Sequence, residues 1–212
     1  MALSNYTELK STIADFLDRS DLTSIIPAFI ELAEAQMHRD LRHWRMEARA
    51  TSNLNTEYSN LPTDWLETIS VHLTGNGTSV VNLASRDTIG DKRAQGNDTT
   101  GRPYLYTHAA GALELFPTPD ASYGLELLYY SKPDALSDSV ATNWILDEAP
   151  DVYLYGALIH SAPYLAEDAR TSTWAQLYSA AVSKLNADSE RARHGGSGLQ
   201  LKVKGLGGSK RR

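Results

Sequence analysis

The 212-residue chain contains no cysteine. That removes disulfide staples, thiolate nucleophiles and every cysteine-ligated zinc site, so stability has to come from burial and packing, a partner's surface included. No apolar run approaches the roughly 18 residues that a membrane span needs. The opening Met-Ala-Leu-Ser-Asn-Tyr-Thr-Glu lacks the basic start and apolar core of a signal peptide. The expectation is a protein that is cytosolic when made and has no membrane partner.

Chemical motifs are also missing. His38, His43, His72, His108, His160 and His194 show no His-Glu-x-x-His spacing, and no Gly-x-Ser-x-Gly elbow presents a serine. Gly205, Gly207 and Gly208 lack the strand-loop-helix context of a phosphate loop, and linker flexibility explains them more simply. Asn5, Asn76 and Asn97 each begin an Asn-x-Ser/Thr triplet, which has no meaning in a cytosolic chain. No catalytic residue, metal site or cofactor is expected.

The residues that are present make an ordinary globular composition. With 42% hydrophobic and 22% charged residues, wholesale disorder is excluded, and the length suits one compact unit carrying an insertion. The charge is unevenly spread. Of the 20 basic residues, seven follow Glu190, the last acidic one, so residues 1–190 carry −13 and residues 191–212 carry +7. An acidic body with a basic tail marks the tail as an interaction arm, because a segment with little apolar content cannot offset its ordering entropy until it meets a surface.

Helical spacing dominates both ends. Leu9, Ile13, Phe16 and Leu17 behind Ser4, a plausible N-cap, predict a helix over about 5–18. Pro27 suits a first helical turn, and Phe29, Ile30, Ala33, Met37, Leu41 and Trp44 form a stripe that predicts a second helix reaching about residue 47. Val152, Tyr155, Ile159 and Ala162 behind Ala149-Pro150 predict another, broken or kinked at Pro163; Trp174, Leu177, Tyr178, Ala181 and Leu185 behind Asp168 predict a last one.

In between, the period shifts towards two. Residues 66–74 and 78–83 flank Gly75-Asn76-Gly77, a hairpin signal because the turn needs positive φ. Residues 85–95 read as a short helix or a loop, and 103–109, 112–116 and 123–130 as three further strands. The fold class expected is α+β: a discontinuous helical bundle from 1–48 and 147–193, an inserted small antiparallel β domain over 49–146, and an extended arm over 194–212. In that arm His194-Gly-Gly-Ser-Gly198 reads as a linker, and Leu199, Leu201 and Val203 alternate with Gln200, Lys202 and Lys204. That is the period of a half-buried strand without a partner strand in its own sequence. Left solvated, such a strand is a liability, which favours docking over a merely solubilising tail.

Two other features have a functional and a bland reading. Arg39, Arg42, Arg45 and Arg49 follow one another at three- and four-residue spacing along the expected second helix and suit phosphates or an acidic partner. The simpler and favoured reading is that cations at a helix C-terminus complement its dipole and snorkel over the bundle. Tyr104/Tyr106, Tyr129/Tyr130 and Tyr153/Tyr155 suit a stacking surface, but strand propensity and packing explain them as well.

The opening Tyr-Thr-Glu-Leu-Lys-Ser-Thr-Ile-Ala-Asp-Phe-Leu-Asp-Arg, the run from Ile26 to Arg42, Leu61-Pro-Thr-Asp-Trp-Leu-Glu, Leu115-Phe-Pro-Thr-Pro-Asp, Leu128-Tyr-Tyr and the run from Asn143 to Leu158 resemble a tailed-bacteriophage head-to-tail adaptor family. The resemblance implies a virion protein, assembled in the host cytoplasm into a ring, commonly of twelve copies. The ring sits beneath the portal of a DNA-filled capsid, joins the portal protein to the tail nozzle and extends the DNA channel. It further implies that the C-terminal segment reaches the portal. A docking arm would then use Leu199, Leu201 and Val203 for apolar contact and strand pairing, and Lys202, Lys204, Lys210, Arg211 and Arg212 for attraction. An acidic body suits passing double-stranded DNA without sequence-specific binding, since it repels phosphates. The alternatives are a nucleic-acid-binding module using the basic tail and the arginine stripe, and a hydrolase or sugar-binding cleft using Asp64, Glu67 and Glu126.

Overall fold

In the computed structural model, the described residues are 3–75, 77–97, 100–165 and 170–194, with the side chains of Asn97 and His194 excluded. Among the described residues helices and strands are both plentiful: six α-helices and one seven-stranded sheet.

Helix α1 (Tyr6–Leu17) starts one residue later than the Ser4 cap implies, because Asn5 Oδ1 accepts from the Glu8 amide at 2.9 Å. Glu8 reaches back to accept from the Ser4 amide at 2.8 Å, completing a reciprocal box that satisfies two amides. Asp18 ends the helix in the left-handed region, φ 52°, with its amide on the carbonyls of Ala14 and Asp15.

Helix α2 (Ile26–Asp40) carries Pro27 in its first turn, as expected, but stops seven residues short of the expected end. The cause lies on α6 (Thr171–His194). Asn186 Nδ2 donates to the Asp40 carbonyl at 3.0 Å while Asn186 Oδ1 accepts from the Arg42 amide at 3.0 Å. Ser189 Oγ then accepts from the Trp44 amide at 2.9 Å. Leu41, fully buried between those contacts, is extended (φ −97°, ψ 134°), so the helical ladder cannot continue through it. After a 3-10 turn at Trp44–Met46 the chain becomes strand β1 (Glu47–Leu54).

The other strands are β2 (Tyr58–Asn60), β3 (Trp65–Thr74), β4 (Ser79–Leu83), β5 (Leu105–Ala109), β6 (Ala112–Phe116) and β7 (Tyr123–Ser131). Their order is β1-β7-β3-β4-β5-β6-β2. The expected strands are all present, with β1 and β2 added as the two edges. One pairing corrects the expectation of a wholly antiparallel sheet: β4 and β5 are parallel, through Asn82↔Leu105 and Leu83↔Tyr106. A parallel pair needs a crossover, and α3 (Arg86–Lys92), capped by Ser85 Oγ on the Thr88 amide at 3.1 Å, provides it. Gly75 and Gly77 both take positive φ, as the hairpin between β3 and β4 requires; Asn76 lies outside the described residues.

Helix α4 (Trp144–Glu148), capped by Asn143, precedes α5 (Pro150–Leu165). Pro163 does not end α5, which continues two residues beyond it. The expected Asp168 cap of α6 lies outside the described residues.

Two apolar cores result. One gathers Leu9 and Ile13 of α1, Ile30 and Met37 of α2, Val152 and Leu158 of α5 and Trp174 and Tyr178 of α6. Gly156 is the point of closest approach: a Cβ there would stand 3.0 Å from the Cβ of Ala33 and 3.4 Å from the Tyr178 ring. The other core lies inside the curled sheet, with Leu73 of β3, Val81 of β4, Tyr106 of β5, Leu113 and Leu115 of β6 and Leu127 of β7.

Candidate assembly surfaces

Because α2 ends early, the four arginines do not form one helical stripe. Arg39 is exposed on the last turn of α2, Arg42 lies in the extended segment, Arg45 in the 3-10 turn and Arg49 in β1. Three of them are held by carboxylates from other elements: Arg42 by Glu67 at 2.7 Å, Arg45 by Glu148 at 2.6 Å and Arg49 by Glu126 at 2.7 Å. Arg42 also donates to the carbonyls of His38 and Leu41, at 3.0 and 2.6 Å. These residues tie the end of α2 to the sheet and to α4. Each pair is partly solvated, so each contributes on the order of 0.5 kcal/mol.

The same carboxylates account for two of the acids considered for a cleft. Glu67 and Glu126 are the partners of Arg42 and Arg49, while Asp64 accepts from the Tyr129 hydroxyl at 3.0 Å. The three are in separate contacts and do not converge.

His43 is buried at this junction. Its ring stacks on Trp144 (centroids 4.9 Å apart, planes at 22°) and tilts against Trp44, and its Nδ1 accepts from the Arg45 amide at 3.3 Å. Burial lowers its pKa from the ordinary histidine value, with Arg45 and Arg193 pushing the same way and Glu148 and Asp188 opposing. Trp44 itself is 45% exposed, and with Arg49, Leu128 and Trp144 it lines an open groove beside β1.

A second buried polar group lies inside the helical core. Glu34 Oε1 accepts from the Leu136 amide at 2.7 Å and from the Tyr153 hydroxyl at 3.1 Å, and Asn143 donates to that hydroxyl at 2.6 Å. Burial raises the Glu34 pKa against the two hydrogen bonds, which lower it. Burial and the neighbouring Glu34 also raise the Tyr153 pKa and keep its phenol protonated. The network fastens the chain between β7 and α4 to α2 and α5. Its sequence signal was an acid on an apolar stripe: Glu34 shares a helical face with Ile30, Ala33 and Met37.

Besides Trp44, large apolar side chains reach solvent on the helices and on the sheet. On the helices, Leu32 and Tyr164 are 50% and 59% exposed, and Tyr164 meets the Phe29 ring edge-on at 5.9 Å. Phe16, exposed at the end of α1, accepts through its carbonyl from Arg170 at 3.0 Å. On the sheet, Leu83 (63%) ends β4 and Tyr104 (47%) immediately precedes β5, two strands joined there by the Asn82 amide donating to the Tyr104 carbonyl at 2.9 Å. Of the other tyrosines considered for stacking, Tyr106, Tyr129, Tyr130 and Tyr153 are buried, so packing absorbs them.

The described chain ends beside β1. Arg193, one residue from the end of α6, contacts both Glu47 at the start of β1 and the Tyr130 hydroxyl, with its guanidinium 5.3 Å from the Tyr130 ring centre. The arm residues Leu199, Leu201, Lys202, Val203, Lys204, Lys210, Arg211 and Arg212, and the linker before them, lie outside the described residues. Among the described residues no group of three or more His, Asp or Glu is placed to hold a metal ion, and no helix is long and apolar enough to cross a membrane.

No match was found among curated proteins. The SU10 adaptor protein family matches residues 4–200, which takes in every element described above. The chain, a mixed helix-and-sheet protein with large apolar side chains exposed on its helices and on its sheet, therefore belongs to the SU10 adaptor protein family, a family of phage head-to-tail adaptors.

Proposed function

We propose that this protein is one subunit of a ring, of twelve copies, placed between the portal and the tail nozzle of a phage particle, where it extends the DNA channel. The observation that carries the reading is the pair of unlike apolar surfaces, Leu32/Tyr164 on the helices and Leu83/Tyr104 on the sheet, in a chain of an adaptor family. A ring is built from heterologous contacts, in which one patch of a subunit meets a different patch of the next. Two unlike patches on one subunit meet that need.

In this reading the helical part (1–48 and 147–193) and the sheet part (49–146) are two units that face different neighbours, and residues 194–212 are the portal-docking arm. Leu199, Leu201 and Val203 contribute apolar contact and strand pairing. Lys202, Lys204, Lys210, Arg211 and Arg212 contribute attraction, and the ring multiplies a weak single contact into avidity. The −13 on residues 1–190 keeps passing DNA from sticking, because phosphates are repelled where a basic bore would release counterions and hold them. The protein acts as a structural part, without catalysis.

Co-sedimentation with a portal ring of the same phage tests this, comparing the full chain with a version ending at Arg193. A stoichiometric complex that the truncation loses supports both the adaptor role and the arm. Equal binding by the two removes the arm from the mechanism. If neither sediments, portal docking is refuted.

A further inference from the structure

The sheet is unfinished on the side where the chain leaves the described structure. Strand β1 pairs only with β7 among the described strands, through the run Glu47↔Tyr130 to Leu54↔Tyr123. Its opposite edge faces no strand among the described residues, so every second peptide group from Glu47 onward points away from the described sheet. Edges of that length are usually shortened, charged or covered, since they pair with whatever extended segment arrives. At the Leu54 end the other edge strand is close, because only Asn55, Thr56 and Glu57 separate β1 from β2. The open stretch is therefore the beginning of β1, residues 47–52.

Three facts identify what covers it. First, Arg193 is fixed against Glu47 and Tyr130, which places the end of α6 at the mouth of this edge. Second, four residues, Gly195-Gly-Ser-Gly198, separate His194 from Leu199, and the six residues Leu199–Lys204 match the length of the open stretch. From Arg193 to Leu199 the chain spans at most about 20 Å, ample to begin a strand beside Glu47. An arm running the opposite way would have to begin about 17 Å further along β1 and would use nearly all of that reach. Third, the faces agree. Ala48 and Ala50 turn towards the sheet core and leave a shallow margin there, while Glu47, Arg49 and Thr51 share the other face. Leu199, Leu201 and Val203 on the inner side would extend the apolar layer past the two alanines. Gln200, Lys202 and Lys204 would stand in solvent.

We infer that in the free protein the segment Leu199–Lys204 adds to the open edge of its own β1 as a parallel strand, entering at the Glu47 end. The edge is thereby covered until assembly, and the position beside β1 and a position on a portal are alternative places for the same residues. The inference concerns the isolated chain and stands whether or not a portal is the eventual partner.

The absence of cysteine makes a direct test clean. Ala50→Cys combined with Leu201→Cys in the full chain, oxidised at low protein concentration, is expected to give a cross-link within one chain. Amide exchange supplies the second reading: residues 47–54 should exchange at least about tenfold faster in Leu201→Pro, or in a chain ending at His194, than in the unchanged protein. β3 should be unaffected, and the protection of β1 should survive dilution. Equal exchange at β1 in all three chains overturns the inference. So does a cross-link that joins two chains, or protection that disappears on dilution, because a second copy would then be the source of the strand. Intact protection of β1 in a protein that never sediments with a portal would refute portal docking and leave this inference standing.

Discussion

The two cores differ in what they tolerate. The helical core encloses a carboxylate, Glu34, whose Oε1 accepts two hydrogen bonds, and its elements come from opposite ends of the chain. The sheet core is apolar inside, and the carboxylate buried beside it, Glu114, lies on the other face of β6 from Leu113 and Leu115, where Arg93 pairs with it. In the first, specific polar contacts choose among the ways four apolar stripes can pack. In the second, strand register does that work, because a slip of one residue would turn Leu73, Leu125 and Leu127 to the other face.

The largest test of that contrast empties each core in turn. Leu158→Ala in the helical core and Leu73→Ala in the sheet core each remove a side chain buried from solvent and should each cost about 3 kcal/mol. Since α6 side chains clamp the segment that leads into β1, urea melts followed by tryptophan fluorescence should show one shared transition for either variant. Two separated transitions would show that the cores unfold independently.

Removing the clamp itself comes next. Asn186→Ala deprives the Arg42 amide and the Asp40 carbonyl of their partner and should cost about 1–2 kcal/mol. It should also raise amide exchange in β1 and leave β5 and β6 as they were. An unchanged melt would mean that Leu41 bends the chain without help.

The Glu34 network gives a test by pH. Burial raises the Glu34 pKa in the folded state, so the folded protein holds that proton more tightly than the unfolded chain. The sign follows from linkage: stability falls as pH rises from the unfolded glutamate value through the raised folded value, and levels off above it. Glu34→Gln keeps an acceptor and removes the titration, so its stability curve should lack that step. His43 works in the other direction. Its pKa is lowered, so stability is lost as pH falls from the ordinary histidine value through the lowered one. His43→Phe, which keeps the stacking on Trp144, should flatten this acid limb.

Smallest of all is Arg49→Ala. Its side chain is 63% exposed even while paired with Glu126, so the loss should stay within about 0.5 kcal/mol. A larger loss would mean that the junction depends on charge more than on the hydrogen bonds of Asn186 and Ser189.

Much of this architecture was legible. The stripe on α1, the stripe on α5 and the Gly75-Asn76-Gly77 turn are local patterns, and local patterns survive folding. What failed was the stretch from Leu41 to Asn53. Leu41, Trp44 and the arginines kept helical spacing in a segment that is extended, turned and then stranded. β1 gave little sign of itself because its inward positions are Ala48, Ala50 and Ser52, too small to read as an apolar face. The arginines' partners, Glu67, Glu126 and Glu148, come from elements that no spacing rule connects to them.

By itself the amino-acid sequence determined which segments carry an apolar side, where the tight hairpin turns, and that an acidic stretch is followed by a basic one; these follow from side-chain period and charge along one chain. Only the tertiary structure decided where α2 stops, which arginines are already taken, and that the edge of β1 with no partner among the described strands lies beside the end of α6. Each of those depends on contacts between residues more than 15 and up to 150 positions apart, such as Asn186 on Asp40 and Arg193 on Glu47, and a hydrogen bond across that separation exists only once packing has brought its two ends together.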